Sequence, residues 1–311
     1  MSLSVGIVGL PNAGKSTLFN ALAARRLAET APRPFTTISP HEAVVALSDE
    51  KLEKLSQLIK PETTVPATVT FLDIAGLVKG AHKGEGLGNQ FLAKIREVDA
   101  IAHVVRLFSD PNVPCVQHVQ NIHSEKEILE DIEIVNLELE LGGITGKPTV
   151  YVLNVGEKEL TSNSTSQFME VVKKKFAGEA VVIAAKLEED LIDFERKDRD
   201  EYLKESGVKL SGLEQFIKKA YELLGLITFY TIKGGKEVHA WSLKAGSNAL
   251  DAAAKVHTDF AKNFIKAEVI NIDELLEIGG WKEAGEKGKL QLEGKDHVIG
   301  NGDVIEFKIG T

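Results

Sequence analysis

The strongest chemical signal in this chain is the run Gly9-Leu10-Pro11-Asn12-Ala13-Gly14-Lys15-Ser16. It follows an apolar stretch over 3–8 with strand character and precedes Leu18, Phe19, Leu22 and Ala23 at helical spacing. Glycines in that setting let backbone N–H groups turn inward around an anion, and a helix N-terminus adds a favourable field. The run therefore reads as a phosphate-binding loop. Asn12, Ala13 and Gly14 frame the phosphates, Lys15 reaches the β- and γ-phosphates, Ser16 ligates Mg2+, and Thr17 lies near the α-phosphate.

Three further segments fit the same chemistry. Asp73-Ile74-Ala75-Gly76 ends a β-branched, apolar run. A carboxylate at Asp73 would meet the metal through water, while the Gly76 N–H senses the γ-phosphate. Between these motifs lies Pro34-Phe35-Thr36-Thr37-Ile38, where a threonine can bind Mg2+ only when the γ-phosphate holds the loop closed. Thr37 is the choice, with Thr36 its competitor. Asn154-Val155-Gly156-Glu157 follows the strand-like run 150–153, at the place where guanine-specific GTPases carry Asn-Lys-x-Asp. Valine replaces the lysine and the longer glutamate replaces the aspartate that accepts from guanine N1–H and the 2-amino group. Guanine selectivity is weakened by that change, and adenine, with N6–H2 as donor and N1 as acceptor, suits Asn154 and nearby backbone. Ala184-Ala185-Lys186 completes the base site through backbone contacts.

These residues need a parallel sheet to hold them. Strands are expected over 68–72, 100–105, 150–153 and 180–184, with helices over 51–59, 90–97, 125–141 and 166–176 lying between most of them. A helix with apolar Leu213, Phe216, Ile217, Ala220, Leu223 and Leu224 closes this part. Short alternating strands then follow over 228–232, 237–242, 267–270 and 303–309, separated by helices over 249–256 and 272–277. The expected fold class is α/β, a nucleotide-binding domain over 1–227 with a mostly parallel sheet, followed by a small α+β domain over 228–311.

Composition narrows the function classes. The chain has 311 residues, 43% of them hydrophobic and 27% charged, as in an ordinary globular protein. No apolar run approaches the roughly 18 residues that suggest a membrane helix. The N-terminus shows no charged leader, and the single cysteine, Cys115, reads as a structural or surface thiol in a reducing cytosol. A net charge of −9 opposes indiscriminate nucleic-acid binding. Residues 228–311 are nearly balanced, with 11 lysines and 13 acids, so a local RNA contact there is permitted. No dimer-forming heptad pattern is present, which makes a monomer the expectation.

Taken together, the chain resembles the YchF/Obg-like ATPase family, a branch of the translation-factor-related GTPases. The resemblance rests on Gly9–Asn20, on Asp73–Ala81, on the run Gly84-Glu85-Gly86-Leu87-Gly88-Asn89, and on the Asn154-x-x-Glu157 departure. Glu237-Val238-His239-Ala240-Trp241 and Lys255-Val256-His257-Thr258-Asp259-Phe260 are similar to the family's TGS domain, a β-grasp module. The resemblance implies slow, Mg2+-dependent hydrolysis of ATP in preference to GTP, and association with ribosomes. It also implies that Leu77 stands where other GTPases keep a catalytic glutamine, and that a loop histidine positions the water instead. His118 aligns best, with His123 its competitor. Asn12 is similar to the asparagine of potassium-activated relatives, which implies K+ beside the phosphates. Lys255, His257, Lys262 and Lys266 are candidates for RNA contact. Family members carry a long helical arm where this chain has only Gly142-Gly143-Ile144-Thr145-Gly146-Lys147-Pro148. Two other readings stay open, a GTPase of the same architecture and a nucleotide-regulated binding module with negligible turnover.

Overall fold

The computed structural model describes residues 3–29, 41–74, 87–110, 112–113, 124–208 and 211–310. Strands β1 (Ser4–Val8), β2 (Glu42–Ala46), β3 (Thr63–Val65), β4 (Thr68–Asp73), β5 (Ala100–Arg106), β6 (Thr149–Asn154) and β7 (Glu179–Ile183) succeed one another along the chain. All but β3 form one six-stranded sheet in the order β2-β4-β1-β5-β6-β7. The pairings β4-β1, β1-β5, β5-β6 and β6-β7 are parallel. Both β1 and β5 are buried at every position, so neither alternates, and apolar residues dominate apart from Ser4, His103 and Arg106.

Helices α1 (Lys15–Glu29), α2 (Glu50–Ile59), α3 (Leu87–Glu97), α4 (Glu125–Leu141), α5 (Asn163–Phe176), α6 (Ala185–Asp190), α7 (Arg196–Glu205) and α8 (Gly212–Leu223) occupy the first 224 residues. One apolar cluster joins Phe91, Leu92 and Ile95 of α3 to Val135 and Leu139 of α4 and to Val8 and Ile101 of the sheet. A second joins Ile128 and Ile132 of α4 to Phe168 and Val172 of α5 over Tyr151 and Leu153. The chain direction across the sheet reverses at β1, from β2 and β4 on one side to β5, β6 and β7 on the other. Open α/β sheets bind ligands at the strands' C-terminal ends beside such a reversal.

The second compact unit holds β8 (Leu226–Lys233), β9 (Glu237–Lys244), α9 (Ala249–Val256), α10 (Thr258–Lys262), β10 (Phe264–Asn271), α11 (Ile272–Ile278), α12 (Trp281–Glu286), β11 (Gln291–Glu293) and β12 (Asp303–Ile309). Its sheet runs β11-β10-β12-β8-β9-β3. The two units are Met1–Val45 with Val69–Leu224, and Ala46–Thr68 with Gly225–Thr311. A division at 227/228 therefore misses a segment: α2 and β3, early in the chain, cluster with the C-terminal part. The attachment is specific. β3 pairs in parallel with β9, and Tyr230 Oη donates to Asp49 Oδ2 at 2.7 Å, on the residue whose side chain caps α2. Leu52 and Leu55 bury the apolar face of α2, which packs on β9 and α11. Lys51–Asp273 is also close at 2.7 Å, but both side chains are exposed and the pair adds little.

His103, central in β5, is 2% exposed, lies in register with Val8 and Tyr151, and packs its ring 5.5 Å from that of Tyr151. Among the described residues its Nδ1 has no hydrogen-bond partner. Burial pushes its pKa down to about 3, and the charge of Lys15 pushes the same way. The folded state holds the neutral ring while the unfolded chain binds a proton below about pH 6.5. Stability is then fully present above that pH and falls as pH drops towards 3, by at most about 1.4 kcal/mol per pH unit from this group. The urea midpoint is expected to decline between pH 7 and pH 5, and His103→Leu should flatten that decline; an unchanged slope in the variant would refute the assignment.

A chain ended after Leu224 would strand the apolar face of α2 without β9 and α11. Such a truncation is expected to aggregate, whereas replacing 46–68 in it by a short polar linker should restore a folded monomer. Equal solubility of the two, measured by sedimentation, would show that α2 does not depend on the C-terminal unit.

Candidate functional site

The loop between β1 and α1 is shaped by close backbone approaches. Gly9 has φ +153° and lies so near the carbonyl oxygen of Val104 that any Cβ would collide with it. Gly14, at φ +94°, is similarly crowded by the side-chain amide of Asn154. Asn12 takes the left-handed conformation with φ 61°, which asparagine tolerates better than most residues. The Ala13 N–H returns to Leu10 O at 3.4 Å, and α1 opens with Leu18 N–H donating to Gly14 O at 2.9 Å. N–H groups in the first helical turn have no partner within the helix, which favours an anion there.

Lys15 is 8% exposed, and its Nζ donates to Leu10 O at 2.8 Å. Burial lowers its pKa to about 8, and the nearby carboxylate of Asp73 partly opposes the shift. A phosphate chain would meet this half-desolvated ammonium and favour its charged form. Asp73 ends β4 half-buried, with its N–H donating to His41 O at 3.0 Å. Ser16 is exposed in the first turn of α1. Among the described residues, no group of three or more His, Cys, Asp or Glu could hold a metal by itself. One hydroxyl and one carboxylate instead suit Mg2+, whose shell is commonly completed by substrate phosphates and water.

A cavity of about 580 Å³ opens beside this loop and brings separate motifs together. Its lining includes Asn12, Gly14, Lys15, Ser16 and Thr17 after β1, Asn154, Val155, Gly156 and Glu157 after β6, and Ala184 and Lys186 after β7. Ala13 and Ala185 are buried behind these segments. Phe108, Ser109, Asp110 and Val113 after β5, and Leu187 and Asp190 of α6, also line it. These six carry no motif. The first four reach the cavity because β5 lies between β1 and β6, and the last two because β7 lies beside β6, neither of which is visible in local spacing.

Asn154 ties the walls together. It is 4% exposed, its Nδ2 donates to Ala13 O at 2.9 Å, and its Oδ1 accepts from Ala185 N–H at 3.0 Å. Its own carbonyl accepts from Leu107 N–H at 2.8 Å and Phe108 N–H at 3.1 Å. Val155 N–H is bonded to Ile183 O at 2.8 Å, which locks the β6 and β7 loops to each other. Glu157 is exposed, and its Oε1 accepts from Tyr202 Oη at 2.7 Å, a contact across α7 that the sequence did not suggest. Lys186 pairs with Glu189 at 3.2 Å and Asp190 at 2.8 Å on its own helix. The expected Thr37 and its competitor Thr36, Gly76, Leu77, and the histidines His118 and His123 lie outside the described residues, as does Cys115.

The chain is similar to known proteins along its whole length. A family profile described as a 50S ribosome-binding GTPase matches residues 4–155, and the YchF GTPase C-terminal profile, described as a protein of unknown function, matches residues 226–310. The ribosome-binding ATPase YchF of Bacillus subtilis is 38% identical over 374 aligned positions spanning 100% of both chains. That of Escherichia coli is 37% identical over 369 positions covering 99% of each. Since this chain has 311 residues, the first alignment leaves at least 63 positions without a counterpart here. The structure of the Schizosaccharomyces pombe YchF GTPase superposes with a TM-score of 0.82 at 29% identity, over 99% of this chain and 98% of that one.

Replacing Asn154 by alanine would leave the Ala13 carbonyl and the Ala185 N–H unmatched in a buried site. An unmade buried hydrogen bond costs about 1–3 kcal/mol, so Asn154→Ala is expected to lower stability by several kcal/mol and to weaken nucleotide binding at least tenfold. A variant with wild-type urea midpoint and affinity would rule out the bracing role.

Proposed function

The chain belongs to the YchF family, and from that membership and the geometry above we propose a Mg2+-dependent nucleoside triphosphatase that prefers ATP to GTP. It turns over slowly and acts as a switch on ribosomes. The observation that carries the base preference is the placement of Glu157 and Asn154. Glu157 is held by Tyr202 on the exposed side of its loop, and the Asn154 amide spans Ala13 O and Ala185 N–H, which leaves its second Nδ2 hydrogen for an adenine acceptor. Guanine therefore lacks the carboxylate that rewards its N1–H and 2-amino group. Recognition falls to apolar walls at Phe108, Val155 and Leu187 and to backbone groups around Ala184, which accommodate adenine.

In this reading Lys15 holds the β- and γ-phosphates, Thr17 and the N–H groups of Ala13 and Gly14 hold the remainder of the phosphate chain, and Lys186 flanks the base. Ser16, with Thr37 and with Asp73 through water, would hold Mg2+, which neutralises charge on the phosphate oxygens when bound. The Gly76 N–H senses the γ-phosphate. His118 positions the attacking water in place of the glutamine that Leu77 replaces, with His123 the competing choice. Asn12 would hold K+ beside the phosphates, where the cation would supply positive charge in place of an arginine finger.

Ribosome association is inferred from the relatives named as ribosome-binding ATPases. Lys255, His257, Lys262 and Lys266 are the proposed RNA-facing group of the C-terminal unit, moderated by Asp259, which lies 3.4 Å from His257 Nδ1 and 4.0 Å from Lys262 Nζ. The absent arm is assigned to 142–148, where Arg96 donates to Gly142 O at 2.7 Å and Ile144 is buried. Among the described residues no helix is long and apolar enough to cross a membrane, and a cytoplasmic monomer fits the reading. A binding module with negligible turnover remains the second reading, favoured by Leu77 in place of glutamine.

Calorimetric titration of nucleotide-free protein with ATP and GTP, in Mg2+ with K+ or Na+, tests the proposal. ATP should bind at least tenfold tighter, and turnover should rise with K+ and with ribosomes. Equal or tighter GTP binding would replace the reading by a GTPase, and unstimulated turnover with intact ribosome binding would favour the module.

A further inference from the structure

Arg106, the last residue of β5, is 5% exposed. Arginine stays charged in proteins, so a guanidinium buried this far must have its donors met. Nε donates to Phe108 O at 3.3 Å and Nη2 to Val113 O at 2.8 Å, while Cζ lies 4.6 Å from the centroid of the Phe108 ring. One planar cation thus grips a loop at two carbonyls five residues apart and also packs against its aromatic ring. The near end of that loop has other anchors, because Leu107 and Phe108 N–H bond to Asn154 O. At the far end, Val113 N–H bonds to Asp110 O at 3.1 Å and Asn112 N–H to Asp110 Oδ1 at 2.8 Å, which closes a turn. These last two contacts stay within the turn. The Arg106–Val113 bond ties it back to the sheet. Phe108, Ser109, Asp110 and Val113 all line the cavity, and Arg106 is not among the lining residues.

We propose that Arg106 is a positioning residue for base recognition, fixing Phe108 and Val113 as the wall against which the purine is held. The role rests on the reading of this cavity as a nucleoside triphosphate site. It requires both a fork of donors and a flat cation. Lysine carries a single compact ammonium and cannot reproduce both carbonyl bonds together with the ring contact. The effect acts through Phe108 and Val113 and leaves the phosphate loop after β1 intact, so loss of Arg106 separates base affinity from phosphate affinity.

The test is calorimetry on the full chain and on Arg106→Ala, Arg106→Lys, Phe108→Ala and the Arg106→Ala/Phe108→Ala double variant. ATP and magnesium tripolyphosphate, which has no base, are the two probes. Arg106→Ala should weaken ATP about 10- to 100-fold, as expected for hydrogen bonds from a charged donor, and change tripolyphosphate affinity less than about threefold. Arg106→Lys should lose about 3- to 10-fold for ATP, and it carries the test if the alanine variant fails to fold. The double variant should lose no more than about threefold beyond the larger single loss, because the two residues act as one unit. Wild-type ATP affinity in Arg106→Lys and Arg106→Ala, equal losses for both probes, or multiplicative losses in the double variant would each overturn the positioning role while leaving the nucleotide reading standing. An unsubstituted chain that fails to bind ATP would overturn that reading itself.

Discussion

The candidate site depends on one buried amide. Asn154 ends β6, and its side chain and carbonyl make four hydrogen bonds to the loops after β1, β5 and β7. At 4% exposure these groups have little water to fall back on, so each lost bond would cost on the order of 1–3 kcal/mol. The same amide crowds Gly14, which explains a glycine there for a reason beyond its positive φ. The residue that would read the base in a guanine-specific site here also braces the loops after β1 and β7 through both ends of its amide.

The electrostatics around the brace are one-sided. Lys15 lies buried at the entrance to the phosphate loop with its proton more easily lost than usual, and His103, deeper in the sheet, stays neutral. Burial explains most of both shifts, and the charge on Lys15 adds to the suppression of His103. A single ammonium, poorly solvated and opposed by Asp73, attracts a polyanion more strongly than one held in open water. Arg106 and Asn154 meanwhile spend polar groups on backbone carbonyls and amides of the surrounding loops.

The chain leaves the first sheet after β2, builds α2 and β3 in the second unit, and returns as β4, which carries Asp73. The two units are therefore linked after β2, before β4 and after α8. An amphipathic helix such as α2 displays which of its faces is apolar, and nothing in that pattern says which sheet will cover it. The six-residue helix α6 and the short strands β3 and β11 were likewise not expected, since three to six residues are too few to establish a period. Most long elements were legible, but the ten-residue, almost wholly polar α7 was not expected because it shows no apolar stripe. Strands expected over 100–105 and 150–153 appear as Ala100–Arg106 and Thr149–Asn154, and the helix expected over 125–141 keeps those bounds.

By itself the sequence determined the phosphate loop, the parallel α/β class, the second α+β unit and the altered base motif. Each is written in local chemistry: a glycine spacing, a run of β-branched residues, a glutamate where an aspartate was expected. Tertiary structure alone decided that α2 and β3 belong with the C-terminal strands, that Tyr202 engages Glu157, and that Asn154 serves as a brace. It also placed Phe108 and Val113 in the cavity wall, with Arg106 behind them. The physical reason is common to all of these. A hydrogen bond between residues 141 positions apart, as from Asn154 to Ala13, leaves no trace in neighbouring residue types. It exists only once β5 and β6 have taken their places beside β1.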